Sequence, residues 1–418
     1  MFSIKNEGKW VKTSLIIIIA LFFIVNLYAT LRYGTENYLG SFEKFDNDDI
    51  KYIRSAWELA DKGHLIYHRV DEPTVFIMPG LPYVLAFFIK IFGKFGGITA
   101  FRVFQALLQA ASMYLIFLLG RKVFNSRAAI LGCFLNSLYI AEYYTSTVIL
   151  TEILFKFLLL LLIYVSIYAI EEKSLLYYTI GGIIWGFGCL VRPTLAAYPG
   201  IVLIIWIIKK YTLKDMVKFT MVTTLAFSTI MSPWWIRNYV VFRRFIPLTL
   251  SSGNPFLQGT YVNYDQSDNY TPYEPGKTAI ESNQREIDAG LYRLKNYAVK
   301  EPLKYAYWYT IGKSWNLWNA PFYWKEILGV SFYNAIIFHY LILILGAAQS
   351  IRLFIKRNED FLFLFITALF FDLIYIPYFT MSRYSYPIMP MVFIVAGYGI
   401  YEFIIRRLGF GKAANSNC

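Results

Sequence analysis

Apolar positions in this chain come in long unbroken blocks and not in alternation. The first, "TSLIIIIALFFIVNLYATL" at 13–31, is long enough to cross a bilayer core of about 30 Å at ~1.5 Å per residue. Similar blocks follow at 100–119, 127–144, 149–170, 175–191, 194–208, 217–235, 331–353, 361–380 and 385–405. The pattern predicts an all-α polytopic membrane protein with about ten transmembrane helices. The opening block follows Lys5, Lys9 and Lys12 as a secretion signal would. Its apolar core exceeds the usual ~7–15 residues and no small-x-small site follows, so it reads as a retained helix.

One apolar block resists this scheme. "PGLPYVLAFFIKIFG" at 79–93 is short, opens on two prolines and closes on glycine. Counted as a span, it inverts every later loop, and "RKVFNSR" (121–127) and "KKYTLKDMVK" (209–218) then face outward. That violates the bias of short basic loops toward the cytoplasm. Read as re-entrant or interfacial, it leaves the N-terminus, 121–127, 209–218, 352–360 and 406–412 all inside. Two long segments, 32–99 and 236–330, then lie outside. Three regions follow: an N-terminal transmembrane module at 1–235 with juxtamembrane helices in its first outer loop, a small extracytoplasmic layer at 236–330, and C-terminal helices with a short tail at 331–418.

Composition changes the picture little. The chain of 418 residues is 57% hydrophobic and 16% charged, where a soluble domain carries about a quarter charged residues. A net charge of +13 would suggest nucleic acid in a soluble protein; here much of the excess sits at cytoplasmic helix ends, so no nucleic-acid partner is expected. Cys133 and Cys189 lie in apolar segments and Cys418 ends the sequence, which points to neither a disulfide framework nor a thiolate metal site. No internal repeat, Walker loop, GxGxxG, HExxH or GxSxG pattern is present.

Polar residues gather on the predicted outer face. "DNDDIKYIRSAWELADKGHLIY" (46–67) is an acidic, irregularly amphipathic stretch with good N-cap residues in Asp46, Asn47 and Asp48. Those acids could simply start a helix. Thr151 and Glu152 begin a spanning helix at its outer end, and a carboxylate there usually has a partner or a task. Arg192 in "CLVRPTL" and Arg383 in "SRYSYPIMP" fill outer turns against the charge bias. Each guanidinium is a fork suited to phosphate, and each could equally snorkel to headgroups. Arg237, beside Trp234 and Trp235, could be an interfacial anchor. His64 and His68, four apart, could share a helix face for a metal, though Gly63 disturbs that geometry and ordinary interfacial histidines fit as well. Glu142 is a weaker acid candidate than Glu152.

These residues together resemble the first outer loop and later motifs of glycosyltransferase family 39, in the GT-C group of membrane enzymes. Asp48, Tyr52, Ala56, Gly63, Pro79–Pro82, Phe92–Gly93 and Arg102 follow that family's pattern. "TEILF", "LVRP", "PWWIRNYVVFRRFIPLTLSSGN" and "RYSYPIMP" continue it in order. The resemblance covers most of 1–260 and the C-terminal helices, whereas 265–330 does not align. It implies a GT-C-like bundle and transfer of a sugar from a polyprenyl-phosphate-linked donor to a lipid, glycan or protein acceptor on the extracytoplasmic face of the plasma membrane. Asp48 is then the expected general base, with Asp49 the alternative. Glu152 would orient the acceptor or hold a divalent cation. Arg192, Arg383 and Arg237 would meet the phosphate, with Arg102 joining if its helix starts at the outer face; Tyr52 belongs to the same substrate-binding set. A prokaryotic source, guessed from the short loops and Ile/Lys-rich style, would make undecaprenyl phosphate the carrier. Rival readings are a lipid flippase or transporter, a glycan polymerase or ligase on the same carrier, and a scaffold without catalysis. The expected absence of paired repeats and midplane breaks argues against transport.

Overall fold

The computed structural model describes residues 1–267, 269–356 and 358–408. Cys418, and the 409–412 part of the expected basic tail, lie outside the described residues. In chain order the helices are α1 (Lys9–Tyr33), α2 (Asp48–Lys62), α3 (Gly80–Phe92), α4 (Lys94–Val123), α5 (Ser126–Ser137), α6 (Ile140–Thr147), α7 (Glu152–Glu172), α8 (Leu175–Val191), α9 (Pro199–Ile208) and α10 (Leu213–Phe242). They continue with α11 (Gly253–Gly259), α12 (Ala279–Arg293), α13 (Pro302–Tyr307), α14 (Lys313–Trp318), α15 (Phe332–Ile355), α16 (Glu359–Tyr375) and α17 (Met389–Leu408). No strand occurs among the described residues.

Five stretches are helical, long and apolar enough to cross a membrane: α1, α4, α7, α15 and the run Ser382–Ile404 that ends in α17. Shorter apolar helices (α3, α8, α9 and most of α16) fill in between them. This is a multi-pass membrane protein. Its apolar faces point outward as well as inward: Ile16, Ile17, Leu21 and Ile24 on α1 are all exposed. Such a face is tolerated only in lipid.

Ion pairs between helix ends define the two ends of the bundle. At one end Arg121 donates to Ser3 O at 3.0 Å and pairs with Glu7, Lys122 meets Glu171 at 2.6 Å, Lys173 meets Asp215 at 3.0 Å and Lys356 meets Glu402 at 2.7 Å. The described basic loops therefore gather together, away from Asp48. Both the C-terminus of α1 and the N-terminus of α4 lie at the other end, so α3 between them does not traverse the bundle. Its segment 79–93 instead folds back as a helical hairpin with α4, as the charge bias requires.

The block at 127–144 departs from expectation. It is not one helix but two, α5 and α6, with a break at Leu138 and Tyr139. Neither proline nor glycine marks it. Ser137 turns its hydroxyl onto Phe134 O at 2.7 Å, and Tyr143 donates to the freed Ser137 carbonyl. Side chains thus satisfy the backbone groups that a broken helix leaves behind in an apolar setting.

Candidate active site

Local sequence folds the first outer loop so that one acid is left over. Asp46 Oδ1 accepts from Ser41 N at 2.9 Å, and Asn47 Nδ2 donates to Leu39 O at 2.7 Å. Asp49, fully buried, accepts from Leu39 N at 2.7 Å through Oδ2. Burial pushes its carboxyl up, against the pull of that backbone bond. These three close the turn ahead of α2. Asp48, the first residue of α2, keeps 44% of its side-chain exposure. Gly63 ends α2 at φ +74°, a left-handed conformation suited to glycine. The chain then runs back along α2, held by Arg54 to Tyr67 O at 2.6 Å and His68 O at 3.0 Å. This return brings Tyr67 OH to Asp48 Oδ1 at 2.8 Å. His64 and His68 sit beyond the glycine, off the helix and exposed, and share no metal-binding face.

Four charged side chains from distant parts of the chain meet at this end. Asp48 Oδ2 accepts from Arg383 Nη1 at 3.1 Å. Arg383 Nε lies 2.9 Å from Glu152 Oε1, and the same oxygen accepts from Arg192 Nη2 at 2.8 Å. Arg192 Nε donates to Thr151 Oγ1 at 2.9 Å. The Arg192 guanidinium sits 5.4 Å from the centre of the Tyr384 ring and 5.5 Å from that of Phe155. Tyr52 packs beside Tyr67, with ring centres 5.5 Å apart. Burial and the Asp48 charge push its phenol up, so it stays protonated. Burial also pushes Asp48 up, but the Arg383 charge and the bonds from Tyr67 and Arg383 outweigh it and hold the carboxyl below its ordinary value.

The site is over-supplied with unpaired polar atoms. Arg192 Nη1, Glu152 Oε2 and Thr194 Oγ1 are buried without hydrogen-bond partners. Buried polar atoms are normally satisfied, so such orphans mark a place for a ligand or water. Arg192 and Thr194 face a cavity of about 440 Å³ that Ser251, Ser252, Tyr375 and Tyr384 also line. Gly80 at the start of α3 lets that helix close on the end of α8. A Cβ there would lie 2.6 Å from Leu190 O, two residues before Arg192.

Two of the expected arginines are not in the cluster. Arg102 donates to Thr147 O at 3.1 Å and stacks over Tyr38 at 4.7 Å. Arg237 donates to Thr74 O at 2.7 Å and to Asn238 Oδ1 at 3.0 Å, with Trp234 and Phe242 around it. The tryptophans of that motif bond Leu248 O and Pro247 O, so the motif staples the loop that leads into the cavity wall. The donor set also does not fit a divalent cation: Asp48 and Glu152 share the guanidinium of Arg383, a positive charge already in the place a metal would take. No group of three or more metal-ligating side chains occurs among the described residues.

A second buried cluster lies one turn further along α7. Lys156 pairs with Glu142 on α6, and both are fully buried. Gln109 on α4 also accepts from Lys156, and Tyr386 OH lies 2.9 Å from Lys156 Nζ while donating to Glu142 Oε2 at 2.8 Å. Four elements thus converge on one ion pair, three residues from Arg383. Sequence reading missed Lys156, Tyr386 and Tyr67. A lysine four residues after Glu152 inside an apolar helix was the available signal.

This arrangement of helices has counterparts of known structure. The chain superposes on the oligosaccharyltransferase AglB of Archaeoglobus fulgidus, solved with an inhibitory peptide and a dolichol-phosphate, at a TM-score of 0.56 and 13% identity, covering 98% of this chain and 52% of that one. It superposes on ArnT of Cupriavidus metallidurans, bound to undecaprenyl phosphate, at 0.56 and 14%, covering 94% and 61%. The chain has the GT-C fold. It spans between half and two thirds of the length of these two structures. A family model described as dolichyl-phosphate-mannose-protein mannosyltransferase matches residues 71–236. That span holds Glu152 and Arg192 but begins after Asp48 and ends before Arg383. A search of curated proteins finds no match.

Proposed function

We propose that the protein is a membrane glycosyltransferase that moves a sugar from a polyprenyl-phosphate-linked donor to an acceptor hydroxyl, at the end of the bundle that carries Asp48. One observation carries the reading: Arg192, with an unpaired buried Nη1, opens onto the cavity while Arg383 ties the same site to a carboxylate that water can reach. A second, mostly apolar cleft of about 360 Å³ lies between α8, α9 and α10, lined by Trp185, Tyr198, Leu203 and Trp206. Its wall continues the 192–197 segment that lines the first cavity, which suits an isoprenoid tail below a phosphate. Basic loops at the opposite end favour the extracytoplasmic side for the site, by the charge bias. Dolichol-phosphate and undecaprenyl phosphate in the two structural relatives favour the same donor class.

In this mechanism the acceptor oxygen attacks the anomeric carbon as the bond from that carbon to the phosphate oxygen breaks. The bond's electron pair goes to the phosphate, and the hydroxyl proton goes to Asp48. The donor phosphodiester carries one negative charge and the leaving polyprenyl phosphate approaches two. Arg192 and Arg383 therefore bind the departing group more tightly than the bound donor, the differential that lowers a barrier. A phosphate needs little protonation to leave, so a single carboxylate suffices where glycosidases use two. Arg383 also links the two substrates. As the phosphate draws on its guanidinium, Asp48 loses its counter-charge and becomes a stronger base.

The pH dependence follows from that pairing. Asp48 must be ionised to act, and in the free protein Arg383 holds its carboxyl below the ordinary value. The kcat/KM is therefore flat across neutral pH and falls only as pH drops through that lowered pKa, below the ordinary aspartate range. The acid limb of kcat lies higher, because bound donor competes for Arg383. An acid limb of kcat/KM near pH 6–7 would contradict the assignment. Mass spectrometry of envelope lipids and glycans, with and without the protein, tests the activity itself. Loss of one sugar from one acceptor is expected, and an unchanged envelope would sink the reading. A flippase would change the sidedness of a lipid and leave its headgroup intact.

A further inference from the structure

The outer layer at 236–330 contains one stretch that does not look built for water. From Pro302 to Trp318, α13, a wide π turn at Trp308–Gly312 and α14 make one helical run, about 25 Å long at ~1.5 Å per residue. Val299, Leu303, Tyr307, Ile311 and Trp315, four residues apart, are 56–86% exposed. In a regular α-helix such a series drifts around the axis by about 40° per step; the π turn offsets part of that drift and keeps the ridge on one side. Thr310 lies beside it with its hydroxyl returned to Ala306 O at 2.7 Å. Lys313 is the one charged residue between 305 and 324, and it is buried, donating to Ile376 O at 2.6 Å.

The far end of this run is wedged between α15 and α16. Ser314 Oγ and Trp318 Nε1 donate to the two oxygens of Asp372 on α16, at 2.7 and 2.9 Å. Trp318 O lies 2.8 Å from His339 Nε2, and Tyr340 OH donates to Asn319 O at 2.8 Å. The Trp315 ring stacks on Tyr340, 6.3 Å between centres and 21° apart. His339 is the eighth residue of α15, which places the tip of α14 about 11 Å below the start of that helix. The terminal carbonyls of α14 are thus capped by side chains at a depth where hydrocarbon could not satisfy them. α15 beside it also exposes an apolar face, with Tyr333, Ile337, Leu341 and Ile344 at spacings of four, four and three.

We infer that residues 302–318 form a re-entrant wedge, descending into the leaflet at the Asp48 end of the bundle, with the Tyr307–Trp315 part of the ridge packed against lipid acyl chains and Leu303 nearer the headgroups. Lys300 and Lys304 flank its entry, where a cationic side chain meets headgroups. The wedge holds Ile376 and Asp372, just before the turn that delivers Arg383, so lipid contact braces the site from outside. The inference rests on the multi-pass fold and not on the transferase reading.

Single-cysteine variants Leu303→Cys, Ile311→Cys and Ile344→Cys, labelled with a nitrobenzoxadiazole fluorophore in phosphatidylcholine nanodiscs, test it. Spin-labelled lipids are expected to quench the Ile311 label within about twofold of the Ile344 label on α15, with aqueous iodide nearly without effect on either. Strong iodide quenching with no lipid quenching would overturn the wedge. Resistance to both quenchers would also overturn it, since protein and not lipid would then cover the ridge. Brominated lipids should quench the intrinsic tryptophan fluorescence of the unlabelled chain, less so after Trp315→Phe; equal quenching in both would contradict the placement independently of any label.

Discussion

Asp48→Asn is expected to lower sugar transfer by about 10²–10⁴-fold while the protein stays folded and inserted. The amide keeps a hydrogen-bond acceptor for Tyr67 but takes no proton from the acceptor. Its structural cost is small. Asp48 is nearly half exposed and its pairing with Arg383 is screened, so about 0.5–1 kcal/mol of stability is at stake. That contribution is present above about pH 4 and is lost as pH falls through the lowered pKa of Asp48. Asp49→Asn is expected to act in the opposite way. Its carboxylate is enclosed and ties down Leu39 N, so the change loosens the turn and lowers thermal stability more than it lowers turnover per folded molecule. Rates and melting temperatures of the two variants, side by side, separate base from brace. An active Asp48→Asn enzyme beside an inactive, stable Asp49→Asn enzyme would exchange the roles.

The largest effect on stability is expected at Lys156. Lys156→Met leaves Glu142 buried with no counter-charge, and breaking a buried pair in this way costs about 3–5 kcal/mol. Glu142→Leu combined with Lys156→Met removes both charges and should recover most of that loss, because the desolvation penalty disappears with them. The cluster also anchors Tyr386, three residues from Arg383. Even a folded Lys156→Met protein should therefore bind donor less tightly, with the pH profile of Asp48 shifted upward as Arg383 loosens. Melting in detergent across the four-member cycle is the measurement. Additive costs of the two single changes would mean that the pair is not coupled.

Much of this architecture was legible because membrane physics constrains it so tightly. Apolar block lengths and the placement of basic loops were enough to put Asp48, Glu152, Arg192 and Arg383 at one end, and to deny α3 a full crossing. What sequence could not supply was which of these residues touch. Asp48 and Arg383 are 335 positions apart, and no local pattern announces that one guanidinium bridges both carboxylates. Arg102 and Arg237 were candidates beside Arg192; only packing reveals that Arg102 Nε and Arg237 Nη1 are taken up by the Thr147 and Thr74 carbonyls. The break between α5 and α6 was hidden for a related reason. Tyr143, not a proline or glycine, makes it tolerable. The segment 302–318 hid its wedge because Lys304 and Lys313 interrupt it, so it does not read as an apolar block.

The central claim is that Arg192 and Arg383 receive the phosphate of a polyprenyl carrier while Asp48 competes for Arg383. Binding of undecaprenyl phosphate to the purified protein, followed by native mass spectrometry, tests this directly. Arg192→Ala and Arg383→Ala should each weaken the complex by roughly 10–150-fold, the worth of a charge-assisted hydrogen bond. Asp48→Asn should tighten it, because Arg383 is then free for the phosphate. A complex indifferent to both arginines, or weakened by Asp48→Asn, would contradict the account.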